Sequence, residues 1–175
     1  MENLKFLVIG GVSGVGKTYL RDALVQRYPE KYCVVKQVTT RSRRVDEPED
    51  AYIFLKDKSE YDSLHDQLVG RTEINGNYYG SLIVPEETRI CVIILNEEGI
   101  RDFRSNKVLE SNSLFIALDK AIDQLDVRRE GRDDTHLTNE RNIRDVCDIT
   151  INLLNGRYVT LEEIDNLVNF YLLKK

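Results

Sequence analysis

Eight residues near the N-terminus, Gly11-Val12-Ser13-Gly14-Val15-Gly16-Lys17-Thr18, restrict the possible folds more than any other part of the chain. Their spacing of glycine, four residues, glycine, lysine and threonine is typical of loops that wrap nucleotide phosphates. The apolar run Leu4–Ile9 before the loop predicts a buried strand, and apolar residues at helical spacing after Lys17 predict a helix. Because such a loop works between a strand and a helix, the motif predicts an anion-binding site in an α/β fold.

The residues of this loop have separable chemical roles. Glycine tolerates positive φ and lets the backbone approach a ligand closely, so successive amide groups can donate to one phosphate. Lys17 is placed to contact the outer phosphates of ATP, and the Thr18 hydroxyl to ligate the accompanying Mg²⁺. We therefore predict that Lys17 acts in catalysis and that the whole loop binds ATP: Gly11, Val12, Ser13, Gly14, Val15, Gly16, Lys17 and Thr18.

Length and composition exclude several classes of protein. With 175 residues the chain is expected to form one domain, and its net charge of −5 argues against general binding to nucleic acid. It has no apolar stretch long enough to span a bilayer and no basic, apolar leader, so we expect no membrane partner and a cytoplasmic location. Its cysteines, Cys33, Cys91 and Cys147, are far apart in apolar runs, which indicates buried thiols and neither a disulfide nor a metal site.

Apolar runs alternate with helix-like segments along most of the chain. This alternation predicts crossover units and a parallel sheet of about five strands that helices cover on both faces. The later strand-like runs are Cys33–Val35, Ile90–Leu95, Leu114–Leu118 and Ile149–Leu153. The helix-like segments are Glu97–Ser105, Lys120–Glu130 and Thr138–Val146. A closing helix is predicted where Thr160 and Glu163 form a capping box before one apolar face, made of Leu161, Ile164, Leu167, Val168 and Tyr171.

The stretch from about residue 38 to residue 88 has a different pattern. It contains turn-rich segments and two short strand-like pieces, Tyr52–Leu55 and Glu73-Ile74. A short helix is predicted over Ser59–Leu68, with Ser59 as its N-cap. We interpret this stretch as a small lobe inserted into a core of residues 1–37 and 89–175, and the chain as a single domain.

Two motifs of this lobe carry further chemistry. Thr39-Thr40-Arg41-Ser42-Arg43-Arg44 places three guanidinium groups close together, and arginine binds phosphate bidentately, so the run is a candidate second anion clamp. Tyr52-Ile53-Phe54 follows it, and Gly76-Asn77-Tyr78-Tyr79-Gly80-Ser81 then presents two phenols and a hydroxyl after good hairpin-turn residues. Two anion sites in one chain suit the transfer of a phosphoryl group between two phosphorylated compounds.

In this order after the phosphate loop, the motifs resemble those of the guanylate kinase family. That family shows Thr-Thr-Arg with a second arginine three residues later, then Tyr-x-Phe and Gly-Asn-Tyr-Tyr-Gly, and the resemblance covers nearly the whole chain. It implies a three-layer P-loop kinase fold of the α/β class, with an inserted monophosphate-binding lobe and an arginine lid over about residues 128–140. It also implies ATP-dependent phosphoryl transfer to a nucleoside monophosphate, GMP or dGMP giving GDP or dGDP.

The resemblance assigns roles residue by residue. It implies that a clamp holds the phosphate of the acceptor and that Ser81 touches the base. The clamp residues are Arg41, Arg44, Tyr52 and Tyr79. Arg128 and Arg132, in Arg128-Arg129-Glu130-Gly131-Arg132, match the catalytic lid arginines that reach the transferring group. The spacing of the third lid arginine fits neither candidate cleanly, and Arg141 is preferred to Arg144.

The base pocket departs from the pattern of the family. Guanylate kinases carry a Glu six residues before the first glycine of Gly-Asn-Tyr-Tyr-Gly, where it accepts from the guanine N1–H and exocyclic amine; here that position is Gly70. Glu73 is offset by three, so on a regular strand it faces the other way unless a bulge intervenes. Ile94 and Asn96 replace the acids that the family has at the end of the third main strand, and Gln37 replaces a serine. Gln37 and Asn96 are still predicted to bind the substrate.

These departures leave alternatives open. The acceptor could be another nucleoside monophosphate, or ribose 1,5-bisphosphate, which has no base to recognise. The chain could instead be a non-catalytic binding module with a retained phosphate clamp, although its intact phosphate loop argues against this. The oligomeric state does not follow from the sequence.

Overall fold

The computed structural model describes residues 4–45, 47–85, 87–119, 142–153 and 159–173. The strands are β1 (Lys5–Gly11), β2 (Tyr32–Val34), β3 (Gln37–Thr39), β4 (Ile53–Phe54), β5 (Leu68–Ile74), β6 (Asn77–Leu82), β7 (Ile90–Ile94), β8 (Ser113–Asp119) and β9 (Ile149–Asn152). The α-helices are α1 (Lys17–Arg27), α2 (Lys58–Ser63), α3 (Glu97–Ser105), α4 (Lys107–Ser111) and α5 (Leu161–Val168). Within these described ranges, two 3₁₀ turns, His65–Gln67 and Asn142–Val146, and a π-helical end, Asn169–Leu173, complete the elements.

The larger sheet has five strands in the order β2-β7-β1-β8-β9. Each adjacent pair is parallel, which confirms the predicted parallel sheet. β1 lies at its centre because its run from Phe6 to Ile9 is apolar and almost completely buried, as a strand covered on both faces must be. Its register aligns Ile9 with Ile94 of β7 and Gly11 with Leu118 of β8.

Helices cover both faces of this sheet and make the fold three-layered. On one face α1 and α5 pack their buried apolar residues against the strands: Leu20, Leu24, Ile164 and Val168. On the other face α3, α4 and the second 3₁₀ turn contribute Ile100, Phe103, Leu109, Ile143 and Val146. Each amphipathic helix therefore buries one stripe against the sheet. Within the part of the chain that the structure describes, no helix is long and apolar enough to cross a membrane.

A second, four-stranded sheet has the order β4-β3-β6-β5 and lies wholly between residues 37 and 82. β6 is antiparallel to both β3 and β5, whereas β3 and β4 are parallel. Tyr61 of α2 covers one face of it and packs with Val38, Leu55 and Leu68. The opposite face, which carries Thr39, Tyr79 and Ser81 in paired positions, is left for the candidate site.

The predicted N-cap of the helix in this lobe is wrong. The cap is Asp57, whose carboxylate accepts from the Glu60 amide at 3.0 Å, and α2 begins at Lys58. A carboxylate at the positive end of a helix is a strong cap, so Asp57 starts the helix before Ser59. The predicted helix is also too long, because Leu68 is already extended and paired with Leu82.

The closing helix has the predicted capping box between Thr160 and Glu163. Its apolar face differs in the last turn, where Tyr171 is 39% exposed and Leu172 only 6%. The helix widens to a π turn from Asn169, and the changed number of residues per turn brings Leu172 instead of Tyr171 towards the sheet. The predicted helix over Lys120–Glu130 lies outside the described residues. Of the predicted helix Thr138–Val146, residues 138–141 also lie outside them, and Asn142–Val146 forms a 3₁₀ turn.

Cys33 and Cys91 are buried, as predicted, whereas Cys147 is only partly buried. Cys33 and Cys91, however, are neighbours on β2 and β7, and their sulfur atoms are 3.7 Å apart in the core. Parallel strand pairing brings together residues that are distant in the chain.

A bulge interrupts β5 between Val69 and Thr72, opposite Gly80. At its first position Gly70 has a φ of 62°, in the left-handed region, and a Cβ placed there would lie 2.5 Å from Leu95 Cδ2. Both conditions select glycine.

Comparing Gly70→Ala with Gly76→Ala should separate the effect of the positive φ from the effect of the overlap with Leu95. Gly76 also has a positive φ of 74°, but no atom lies within 4 Å of a Cβ built there. Gly76→Ala should cost about 1 kcal/mol of unfolding free energy through backbone strain alone. Gly70→Ala should cost a further ~1–3 kcal/mol because the methyl group overlaps Leu95. Urea unfolding of the two variants measures the difference, and equal losses would contradict the proposed overlap.

Candidate active site

The phosphate loop connects β1 to α1 through three glycines in unusual backbone conformations. Gly11, Gly14 and Gly16 have φ values of 142°, 82° and 103°. Gly11 is also confined, since a Cβ would lie 2.4 Å from the Leu118 carbonyl oxygen. Gly16 is the N-cap of α1 without a side-chain cap, so the first amides of the helix stay available to an anion. The loop therefore takes backbone conformations that glycine adopts easily and leads into a helix whose first turn has no side-chain cap.

Lys17 places positive charge over this loop. Its ammonium donates to the carbonyl oxygens of Gly11 at 2.6 Å and Val12 at 2.8 Å. The first turn of α1 contains no acidic residue that would compensate this charge or the helix dipole. Thr18 is exposed in the same turn. Lys17 is thus held where an oxyanion in the loop would meet it.

Arg41, two residues after the end of β3, forms the centre of the second candidate anion site. Its guanidinium makes a bidentate pair with the Glu47 carboxylate, in which Nη1 donates to Oε2 at 2.7 Å and Nη2 to Oε1. Both side chains are largely buried, with 11% and 13% of their surface exposed. A planar carboxylate in this fork has the geometry that a phosphate would use.

Aromatic rings fix the position of this guanidinium. Arg41 Cζ lies 5.0 Å from the centre of the Tyr52 ring and 5.5 Å from that of Phe54, which are cation–π distances. The rings of Tyr52 and Tyr79 are 6.3 Å apart. Tyr61 donates its hydroxyl to the Tyr79 carbonyl at 2.8 Å and so anchors that strand. Arg41, Tyr52 and Tyr79 therefore form one cluster.

The Arg41–Glu47 pair also shifts the protonation equilibria of both groups. The pKa of Glu47 is lowered, chiefly by the hydrogen bonds from Arg41, with a smaller contribution from the Arg44 amide. The pKa of Arg41 is raised by the same hydrogen bonds. Both groups are therefore charged near neutral pH, and an anion that approaches Arg41 meets a guanidinium already paired with Glu47.

The predicted base-side residues lie where the two sheets meet. Gln37 of β3 donates from Nε2 to the Ser81 hydroxyl at 3.3 Å and to the Ile94 carbonyl at 3.1 Å. Ser81 is completely buried. Asn96 caps α3 by accepting from the Gly99 amide at 2.8 Å, and it donates to the Thr72 hydroxyl at 3.3 Å. Gln37 thus connects the four-stranded sheet to the end of β7 in the five-stranded sheet, and Asn96 lies two residues after Ile94.

Other predicted residues are placed less centrally. Arg44 is exposed, and its amide donates to Glu47 at 3.3 Å. Arg128, Arg132 and Arg141, with the predicted lid over 128–140, lie outside the described residues, so the choice of Arg141 stays a prediction. Arg144, the other candidate, pairs with Asp119 at 2.7 Å. Asp119 is the residue after Leu118, the partner of Gly11, so Arg144 lies near the phosphate loop.

Sequence reasoning missed Glu47 and Glu98. The segment Asp46-Glu47-Pro48-Glu49-Asp50 indicated only a turn, although an acid a few residues after an arginine run is a signal for an internal ion pair. Glu98 accepts from the Thr72 hydroxyl at 2.6 Å. Its sequence signal was an acid in the first turn of a helix, which is common at helix starts and has no functional specificity.

A parallel five-stranded sheet with a glycine-rich loop after its central strand defines the P-loop kinase fold. The model of the family described as guanylate kinase matches residues 3–149 of the chain. The chain therefore belongs to the guanylate kinase family.

Individual relatives agree with this assignment. The chain is 31% identical to a guanylate kinase of Trichormus variabilis over 134 residues, which cover 73% of this chain and 66% of that protein. A guanylate kinase of Nostoc sp. is 31% identical over 135 residues, with the same coverage of 73% and 66%. The chain thus spans 66% of the length of these relatives. The crystal structure of guanylate kinase from Anaplasma phagocytophilum has the same fold, with a TM-score of 0.72 at 20% identity over 98% of this chain and 88% of that one.

Glu47→Gln should destabilise the protein in a pH-dependent way. Loss of the charged hydrogen bonds to a largely buried arginine should cost about 1–3 kcal/mol of unfolding free energy at pH 7. Because folding lowers the pKa of Glu47, the stabilisation is complete above about pH 5 and is lost as the pH falls through the lowered pKa. The wild type and the variant should therefore converge on acidification, as denaturant titrations at several pH values would show.

Glu49→Gln is the matched control for this prediction. Glu49 also pairs with an arginine, Arg43, at 3.2 Å, but its side chain is 91% exposed. An exposed pair adds little to stability, so this variant should match the wild type within about 0.5 kcal/mol at each pH. Equal effects of the two substitutions would show that the fork around Arg41 has no special energetic role.

Proposed function

We propose that the chain catalyses ATP-dependent transfer of the γ-phosphoryl group to a nucleoside monophosphate, with GMP or dGMP giving GDP or dGDP. This proposal is based mainly on the presence of two separate candidate anion-binding sites in one chain. One is the glycine loop with Lys17, and the other is the buried Arg41 fork. Family membership over residues 3–149 supports the same reaction.

The two sites contain the positively charged groups that phosphoryl transfer requires. The transition state spreads negative charge over the oxygens of the moving group, and positioned positive groups stabilise it without a covalent nucleophile. Lys17 and the loop amides would hold the donor phosphates. Arg41, with Arg44, Tyr52 and Tyr79, would hold the acceptor phosphate in the inserted lobe of about residues 38–88. Gln37, Ser81 and Asn96 would line the base end, and Arg128, Arg132 and Arg141 would contribute from the lid.

The residues at the start of α1 fit a magnesium ion that accompanies ATP. Among the described residues, no group of three or more His, Cys, Asp or Glu side chains could hold a metal by itself. Mg²⁺ in such sites is held by few protein oxygens together with phosphate oxygens and water, which the exposed Thr18 hydroxyl suits. When bound, the ion neutralises charge on the phosphates.

The proposal is tested by measuring ADP release with ATP and a panel of acceptors: GMP, dGMP, AMP, UMP, dTMP and ribose 1,5-bisphosphate. Turnover should require an acceptor and should be fastest with GMP or dGMP. Turnover only with ribose 1,5-bisphosphate would establish the other kinase function. No turnover with any acceptor, together with retained binding of GMP, would establish a non-catalytic binding module.

Lys17→Ala should lower turnover by at least roughly a hundredfold, the effect of removing one preorganised charge in an active site. Since Lys17 also bonds two loop carbonyls, the melting temperature must be measured on the same preparation. GMP binding by calorimetry should persist, because the Arg41 site lies on the other sheet. Near-normal turnover would remove Lys17 from the mechanism.

Arg41→Lys should raise the KM for the acceptor by roughly ten- to a thousandfold, because an ammonium cannot reproduce the bidentate fork. The KM for ATP should change little. Arg43→Lys is the control, since Arg43 contacts the exposed Glu49 on the surface. A rise confined to the KM for ATP would contradict the assignment of Arg41 to the acceptor.

A further inference from the structure

Gly70 provides no carboxylate at the position where the resemblance to guanylate kinases places a base-reading glutamate, and its backbone conformation disfavours a side chain. The φ of Gly70 is 62°, a conformation that other residues rarely adopt, and a Cβ added at this position would lie 2.5 Å from Leu95 Cδ2. Glu73, the nearest acid along the strand, pairs with Tyr78. Paired residues of an antiparallel ladder face the same side, so Glu73 lies on the side opposite Tyr79 and Ser81. The bulge precedes Glu73 and does not bring it to the acceptor face.

A different carboxylate is held beside that face. Glu98, in the first turn of α3, accepts from the Thr72 hydroxyl at 2.6 Å, and Thr72 accepts from Asn96 Nδ2 at 3.3 Å. Thr72 pairs with Tyr79, so it belongs to the acceptor face of the lobe. Within the described residues the Glu98 carboxylate has no ion-pair partner, in contrast to Glu97, which pairs with Arg101 at 2.8 Å. The Thr72–Asn96–Glu98 cluster therefore offers an oriented acceptor.

The position of this cluster fits the base end of a nucleotide. Arg41 and Tyr52 lie at the β3–β4 side of the second sheet, whereas Thr72 is on β5, the opposite edge. From β3, which Arg41 follows, to β5 there are two strand spacings, or about 10 Å. This distance is comparable to the length of a purine nucleoside monophosphate from its phosphorus to the far edge of its base. A phosphate on Arg41 therefore lets the base reach the Thr72–Asn96–Glu98 cluster.

Glu98 also borders a second, outer space. An open groove of about 380 Å³ at the edge of β5 is lined by Tyr61, Arg71, Thr72, Glu73, Tyr78, Glu98 and Asp102. In that groove Asp102 is already engaged, because it accepts from Arg71 in several hydrogen bonds. The bond from Thr72 ties Glu98 to the acceptor face, whereas Glu73 has only the outer groove.

We propose that Glu98, oriented by Thr72 and Asn96, is the specificity residue that accepts from the N1–H and the exocyclic 2-amine of guanine. This inference rests on the proposed function. A carboxylate accepts both bonds, whereas hypoxanthine lacks the amine and adenine lacks the N1–H. Selectivity for GMP over IMP and AMP should therefore depend on this one side chain.

The test compares kcat/KM for GMP, IMP and AMP in the wild type, Glu98→Gln, Glu97→Gln and Glu73→Gln. Glu98→Gln should lower the value for GMP by roughly ten- to a hundredfold, mainly through KM, because charged hydrogen bonds are lost. The value for IMP should fall less, so the preference for GMP over IMP should shrink towards one. Glu97→Gln and Glu73→Gln should keep the wild-type preference.

Thr72→Val and Thr72→Ser supply a second readout that does not alter the carboxylate. Loss of the hydroxyl in Thr72→Val should reduce the preference for GMP in the same direction, and Thr72→Ser should retain it. A folded Glu98→Gln with the wild-type preference would overturn the inference while leaving the proposed function intact, as would loss of preference in Glu73→Gln. A wild type inactive with every nucleoside monophosphate would overturn both.

Discussion

The hydrogen bonding of β1 to β7 on one side and to β8 on the other is the constraint on which the rest of the structure depends. The register brings the ends of the three strands to one edge of the sheet, where Gly11 lies against Leu118. The chain can turn there only because no side chain fits between Gly11 and the Leu118 carbonyl. The phosphate loop, Asn96 after β7 and Asp119 at the end of β8 therefore meet at the carboxyl edge, as ligand-binding groups do in parallel sheets.

Each of the two candidate anion sites contains a cation, although the protein as a whole is negatively charged. The chain carries a net charge of −5, yet Lys17 and Arg41 concentrate positive charge at two points. Each cation is held by a different kind of oxygen: backbone carbonyls hold Lys17, and the carboxylate of Glu47 holds Arg41. A phosphate brought to Arg41 must displace or share the Glu47 carboxylate. Because Glu47 already orients the Arg41 guanidinium, a phosphate would bind with a smaller loss of conformational entropy. The phosphate would also have to compete with the Glu47 carboxylate for the same hydrogen bonds.

A bulge in β5 shapes the region where the two sheets meet. Because Gly70 has no side chain, β5 can approach Leu95 closely at the bulge. Two residues further along β5, the Thr72 hydroxyl donates to the Glu98 carboxylate of α3. Gln37 fills the space between Ser81 and the end of β7. The polar groups in this region therefore come from three different elements, β3, β5 and α3. These groups come together only because the four-stranded sheet packs near β7 and α3, and no single sequence motif encodes that packing.

The sequence by itself determined the elements whose signals are local. The phosphate loop, the apolar strands, α3 over Glu97–Ser105 and the capping box at Thr160 follow from short-range spacing and backbone chemistry. Only the tertiary structure decided the partner of Arg41, the side that Glu73 faces, the contact of Cys33 with Cys91 and the bond from Thr72 to Glu98. Local patterns reflect preferences of neighbouring residues, whereas these contacts depend on strand register, and one extra residue at a bulge reverses which side chains meet.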